Sequence, residues 1–399
     1  MKDTQSLHLA FVYHVPFWEE EGQIWTTYSP IGRYVESLAH QFRHVTVISP
    51  LRSDSHQALY RMNASNITIK NLRSFPNIQS YYFHLLHFYS KLFRETKNCD
   101  LVHIRMPVLT GFPSYLAARY FKKPVFLVVV GENYNTIKLA GYSGIKKKIA
   151  NLIALIQDTL MKNMIRNCLT FTNGENLFRK YSTLNQDVYL MRSSTITKDD
   201  LLPIFRDTCS HKLYKILTVA ALTPGKGTSL IPETLAFLKN RGIEVNWKYI
   251  GRIAGNSGEQ ELKKTLQLAT DLEVASQLTF QGPTGFLELM PIYRESDIFV
   301  LPTYAEGIPR VILEAQASGL PVITTGVGGI PQAVSNGYDA LLIPTGNSLA
   351  MAEAIEKVIT DHELRQKLIH NGLKTAEKFT LESETALMIE KVNKVLLHD

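Results

Sequence analysis

Glu306 and Glu314 stand eight positions apart in the stretch PTYAEGIPRVILEAQASGLPVITTGVGGIPQAV, residues 302–334. An apolar run, 298–301, precedes this stretch and reads as a strand, and the stretch itself opens a helix. Pro309 suits the first helical turn, where its missing N–H costs nothing, and Gly307 frees the backbone just before it. Glu314 then falls roughly 7 Å along the helix axis at 1.5 Å per residue. This spacing suits one elongated anion. The N–H groups of Ile308, Arg310 and Val311 at the helix start can hold a diphosphate, helped by the helix dipole. Glu306 on one side can accept hydrogen bonds from the hydroxyls of a sugar, and Glu314 on the other from a ribose. For an isolated pair of glutamates the alternative is structural: an acidic helix start with an outer carboxylate on an amphipathic face.

A second loop adds a cation. Residues 219–227, VAALTPGKG, end a strand and lead into a helix, so Lys226 and Gly227 lie where a loop can face phosphates at the carboxyl edge of a sheet. An ammonium there stabilises a departing diphosphate, while a solvated loop lysine is the competing reading. No Asp-x-Asp pair lies beside a strand of the C-terminal half and no histidines have metal spacing, so no metal ion is expected. No Gly-x-Gly-x-x-Gly turn follows the first strand of either half, which weakens a nicotinamide-binding reading.

The elements that must position these groups alternate along all 399 residues: short apolar runs, then longer amphipathic ones. That is the pattern of α/β folds with parallel sheets. Strands are predicted at 7–14, 45–49, 66–70, 101–105, 125–130, 169–173 and 188–191, with helices at 33–42, 82–96, 112–120 and 145–165. A second series follows at 216–221, 246–250, 278–281, 298–301, 322–325 and 340–343, and residues 350–397 read as three helices. Two tandem Rossmann-like units result, as the length also suggests. The polar stretch 193–200 is the expected connection, giving domains of 1–195 and 196–380 with a last helix in 381–399.

The whole string around the two glutamates resembles the signature of family-4-like retaining GT-B glycosyltransferases, the glycosyl transferases group 1. Glu306-Gly307-Ile308-Pro309, Glu314-Ala315, Ala317, Gly319, Pro321-Val322 and Gly328-Gly329-Ile330-Pro331 match it in order. The resemblance implies a GT-B fold, with two Rossmann-like domains facing across a cleft, acceptor in the first and donor in the second. The last helix would cross back to the first domain. It implies transfer of a sugar, with retained configuration, from a nucleotide diphosphate sugar, a UDP-sugar foremost, to a glycan or lipid-linked acceptor in surface polysaccharide or glycoconjugate synthesis. The catalytic residues would be Glu306 and Lys226. Donor binding would fall to Glu314, Gly307, Ile308, Pro309, Arg310, Val311 and Gly227.

The sequence also departs from the family pattern. Ala220-Ala221 stand where the family has Gly-Arg, and Val130 ends a strand where many relatives carry His, leaving Glu132 and Asn133 as the nearest polar residues. His14 and His103 are further options. Gly32, in Ser29-Pro30-Ile31-Gly32-Arg33, resembles the family's small-residue loop beside the donor phosphates, with Arg33 adding positive charge or standing as a solvated first-turn residue. These departures keep two alternatives open: a non-catalytic nucleotide-sugar-binding subunit and a GT-B-type sugar-nucleotide epimerase.

Lys and Arg exceed Asp and Glu by 43 to 36. This excess favours anionic partners, nucleotide phosphates or an acidic membrane surface, and no nucleic acid is expected. Residues 138–166 combine Lys146-Lys147-Lys148, Lys162 and Arg166 with many apolar residues, so either membrane-surface docking or a core helix with a basic edge is read there. Three cysteines without metal spacing, and no signal-like or membrane-spanning run, point to a cytoplasmic protein, peripheral at most.

Overall fold

The computed structural model describes residues 3–50, 60–72, 85–131, 144–192, 194–202 and 207–397. Two compact units share the chain: residues 1–193 together with 384–399, and residues 194–383.

The first unit holds β1 (His8–Val12), β2 (Phe17–Glu20), β3 (Gln23–Thr26), β4 (His44–Pro50), β5 (Tyr60–Met62), β6 (Ile67–Leu72), β7 (Leu101–Met106), β8 (Val125–Val129), β9 (Leu169–Asn173) and β10 (Val188–Met191). Seven of these form a parallel sheet in the order β10-β9-β8-β7-β1-β4-β6. Every residue of β7 and β8 is buried. Helices cover both faces of such a sheet, which is why its strands read as unbroken apolar runs and not as alternating ones.

The second unit holds β11 (Leu213–Val219), β12 (Glu244–Ile250), β13 (Leu278–Gln281), β14 (Ile298–Leu301), β15 (Val322–Thr325) and β16 (Leu341–Ile343), parallel in the order β13-β12-β11-β14-β15-β16. One chain of buried hydrogen bonds ties three of its strands together: Trp247 Nε1 donates to Thr218 Oγ1 at 3.0 Å, and that hydroxyl donates to the Val300 carbonyl at 2.7 Å. An unpaired indole N–H in that position would cost about 1–3 kcal/mol.

The α/β reading with two Rossmann-like units holds, and all thirteen strands of the two sheets fall on the runs that predict them. Two features differ. A small antiparallel sheet, β2-β3-β5, lies outside the predicted strands. Its hairpin turns at Glu21 and Gly22, both with positive φ (52° and 72°), so a glutamate fills a place usually held by Asn, Asp or Gly. The first helix begins at Ser29, ahead of Arg33, with Pro30 in its opening turn, where proline's fixed φ is already helical.

The C-terminal helices are Ser348–Thr360, His362–Lys378 and Leu381–Leu396. Asn347 and Asp361 cap the first two by accepting the N–H groups of Ala350 and Leu364. From residue 384 the last helix belongs to the first unit. Thr385 and Ser37 share a hydroxyl hydrogen bond of 2.9 Å, the Tyr34 hydroxyl donates to Met388 Sδ at 3.5 Å, and Glu384 accepts the backbone N–H of Arg192 at 3.1 Å.

Candidate functional site

In the second unit β11 lies between β12, the next strand of the chain, and β14. The connection after β11 leaves towards one edge of the sheet and the connection after β14 towards the other. Loops parting in this way open a crevice outside the carboxyl ends of the two strands, the usual ligand site of open α/β sheets. The loop with Lys226 follows β11, and the loop with Glu306 follows β14.

These loops are bound to one another. The Gly225 carbonyl accepts from Thr303 Oγ1 at 3.0 Å and from the Tyr304 N–H at 2.9 Å. Thr325, ending β15, donates its hydroxyl to the Thr303 carbonyl at 2.6 Å. Gly227 has φ +66°, and a Cβ there would lie 2.0 Å from the Pro302 carbonyl oxygen. Gly328, at φ +59°, would meet the Glu306 carbonyl oxygen at 1.9 Å. Only glycine allows both the conformation and the contact. Across this frame the Lys226 ammonium donates to Oε1 of Glu306, the two side chains being 19% and 18% exposed.

The helix Arg310–Ala317 starts beside that pair. Pro309 stands one residue before it, as the N-cap and not within the first turn, at φ −77° and ψ 116°. Proline offers no side-chain acceptor, so the helix start has no side-chain cap, and its leading N–H groups suit an anion. Gly307 is exposed, Ile308, Arg310 and Val311 are half-buried, and Pro309 is buried.

Glu314 has different surroundings. Its carboxylate is only 5% exposed and accepts from Thr195 Oγ1 on one oxygen and, at 3.0 Å, from the Tyr293 hydroxyl on the other. Burial, then the neighbouring Glu314 charge, pushes the Tyr293 phenol well above its ordinary range, so it stays a donor. Thr195 lies 119 positions away in the chain, and no local motif announces either partner. Each carboxylate oxygen keeps a second lone pair.

The first unit's candidates scatter. Gly32 is not in a loop open to phosphates. It lies inside the helix Ser29–Ala39, and a Cβ on it would meet the Tyr60 ring at 2.3 Å and Thr26 Cγ2 at 2.9 Å, so the glycine makes room for that ring. Arg33 is 8% exposed and not a solvated residue. His14 is exposed just after β1, its ring 4.2 Å from that of Tyr13. His103 is wholly buried in β7. Glu132 and Asn133 lie outside the described residues, as does Lys138.

The helix Gly144–Asn167 has two faces. Ala154, Met161, Met164 and Ile165 are buried, while Lys148, Ile149, Leu152, Leu155 and Ile156 are exposed and Lys162 pairs with Asp158 at 2.7 Å. Cys99, Cys168 and Cys209 are free. Burial raises the first two thiols to about 12, which leaves them protonated and poorly nucleophilic.

Residues 205–375 match the family described as glycosyl transferases group 1. The chain is 31% identical over 182 residues to a D-inositol 3-phosphate glycosyltransferase of Corynebacterium glutamicum, covering 45% of this chain and 43% of that protein. It is 32% identical over 171 residues to a capsular polysaccharide biosynthesis glycosyltransferase of Staphylococcus aureus, covering 42% and 43%. The chain thus spans less than half the length of these curated relatives. Two solved structures share the fold over nearly the full length. A sucrose-phosphate synthase from Thermosynechococcus elongatus superposes with TM-score 0.70 at 15% identity, covering 98% of this chain and 99% of that one. An Anabaena HepE in complex with UDP and glucose does so at 0.65 and 14%, covering 98% and 100%.

Proposed function

We propose, from the premise that residues 205–375 belong to the glycosyl transferases group 1 family, that this chain moves a sugar from a nucleoside diphosphate to an acceptor hydroxyl, with retention and without a required metal ion. The observation that carries this reading is the meeting of Lys226 with Glu306 at the sheet's switch point, beside a helix start that no side chain caps. As the bond from sugar to diphosphate breaks, negative charge builds on the leaving phosphate and positive charge on the sugar ring. Lys226 and the N–H groups of Ile308, Arg310 and Val311 stabilise the former, supplying positive charge that a metal would otherwise bring. Glu306 positions the sugar through its hydroxyls. Glu314 accepts from the ribose with the lone pairs that Thr195 and Tyr293 leave, and a donor phosphate oxygen takes the acceptor proton.

A UDP-sugar is the donor favoured by the UDP and UDP-glucose complexes of the Anabaena neighbour. The relatives' names favour a glycan or lipid-linked acceptor in surface polysaccharide or glycoconjugate synthesis. Docking to an anionic membrane surface belongs to the same reading, on the exposed aliphatic face of Gly144–Asn167 with Lys148 beside it. No helix of the described residues is long and apolar enough to cross a membrane. Free thiols accord with a cytoplasmic setting.

The test is a panel of nucleotide sugars with and without glycan and lipid-linked acceptors, in the presence of a chelator. Nucleotide release that needs an acceptor, survives chelation and is lost in Glu306→Ala is the expected result. Conversion of donor without acceptor points to epimerisation. Binding without any turnover, in wild type and variant alike, leaves a nucleotide-sugar-binding subunit. Flotation with phosphatidylglycerol vesicles tests docking, which Leu152→Asp should abolish.

A further inference from the structure

The Lys226 ammonium donates to the Glu306 carboxylate, each side chain about four-fifths covered, on loops that Gly225, Gly227 and Gly328 hold in place. Any ligand that recruits one of the two must deal with the other. A nucleoside diphosphate alone draws Lys226 to its terminal phosphate and leaves the Glu306 carboxylate beside that phosphate, like charge against like charge. A complete donor brings sugar hydroxyls, and these replace the ammonium as hydrogen-bond donors to Glu306. We infer that the Lys226–Glu306 ion pair is a discriminating device that sets the affinity of the intact sugar donor above that of the spent nucleotide. This rests on the donor reading of the preceding section and adds selection to it. The carboxylate that positions the sugar also weakens retention of the product, because a ligand shifts an equilibrium only by its differential affinity for the two states. Thr303 and Tyr304 support the device by fixing the Lys226 loop to the Glu306 loop through the Gly225 carbonyl, so the pair cannot part by drift of either loop.

Titration calorimetry of the full chain with UDP and with UDP-glucose tests the inference. Glu306→Gln removes the charge and keeps the shape. It is expected to bind UDP about tenfold more tightly than wild type and UDP-glucose more weakly, so that the gap between the two closes; tenfold is the scale of one charge-assisted interaction. Glu306→Ala should shift UDP the same way, which keeps the test open should one variant fold poorly, and unchanged melting temperature qualifies each variant. Lys226→Gln should weaken both ligands. UDP binding no tighter in folded Glu306→Gln or Glu306→Ala than in wild type overturns the inference while leaving the donor reading intact. Binding by wild type of neither ligand, nor of GDP, ADP and their glucose conjugates, overturns the donor reading and the inference with it.

Discussion

At the carboxyl edge of the second unit's sheet, Lys226 and Glu306 meet on loops after β11 and β14 and keep nearly a fifth of their surface in water. At the same edge of the first unit's sheet, Arg105 near the end of β7 is 7% exposed, its guanidinium 4.9 Å from the Tyr34 ring and 5.6 Å from that of Tyr13. Two residues earlier, His103 stacks on Phe126 at 4.4 Å, and neither of its ring nitrogens has a hydrogen-bond partner. The topology is similar, with both sheets reversing strand order at one point, yet the burial of charge is opposite. Charges that keep some water can exchange partners with a ligand at small cost. Those sealed among aromatic rings serve the packing of Ser29–Ala39, through Tyr34, because exposing or recharging them means opening the core.

Substitutions can break or sharpen this contrast. The largest effect is expected for Glu306→Ala, which should lower transfer by about 10²–10³-fold while the fold is retained, because the ammonium left behind still reaches water through its 19% exposed side chain. Nucleotide release assays and thermal unfolding on the same preparation check both halves. Gly227→Ala should instead cost stability, roughly 2–4 kcal/mol by denaturant unfolding, because a left-handed residue would press into the Pro302 carbonyl. Wild-type stability in that variant would show the loops to be looser than their contacts imply.

Glu314→Ala leaves the Tyr293 and Thr195 hydroxyls buried without their acceptor, a loss of about 2 kcal/mol. Glu314→Gln should recover part of it, and both should weaken UDP binding. The smallest change is a gain: His103→Phe should stabilise the protein by about 1 kcal/mol through removal of an unpaired buried imidazole. Burial, then Arg105, holds His103 well below the ordinary 6.5. The unfolded chain takes up a proton near pH 6.5 while the folded one does not, so stability is complete above that pH and falls as pH drops below it. His103→Phe should flatten that slope between pH 6.5 and 5 in denaturant titrations. A slope as steep as wild type would place the acid sensitivity on His8, His14 and His44, which burial also shifts downward.

The sequence by itself determined the two sheets and the place of the glutamate segment. Parallel strands buried on both faces appear as contiguous apolar runs, and Glu306 to Pro331 is one uninterrupted stretch, so both are readable in a window of a few dozen residues. Tertiary structure alone decided the rest. The β2-β3-β5 sheet depends on a turn at Glu21-Gly22 that has no strong local signal, and the use of Gly32 depends on Tyr60, 28 positions on. Lys226 finds Glu306 across 80 positions, and Glu314 finds Thr195 across 119. Local periodicity encodes which face of an element is apolar. Which charge meets which is set only when strands distant in the chain become neighbours in a sheet.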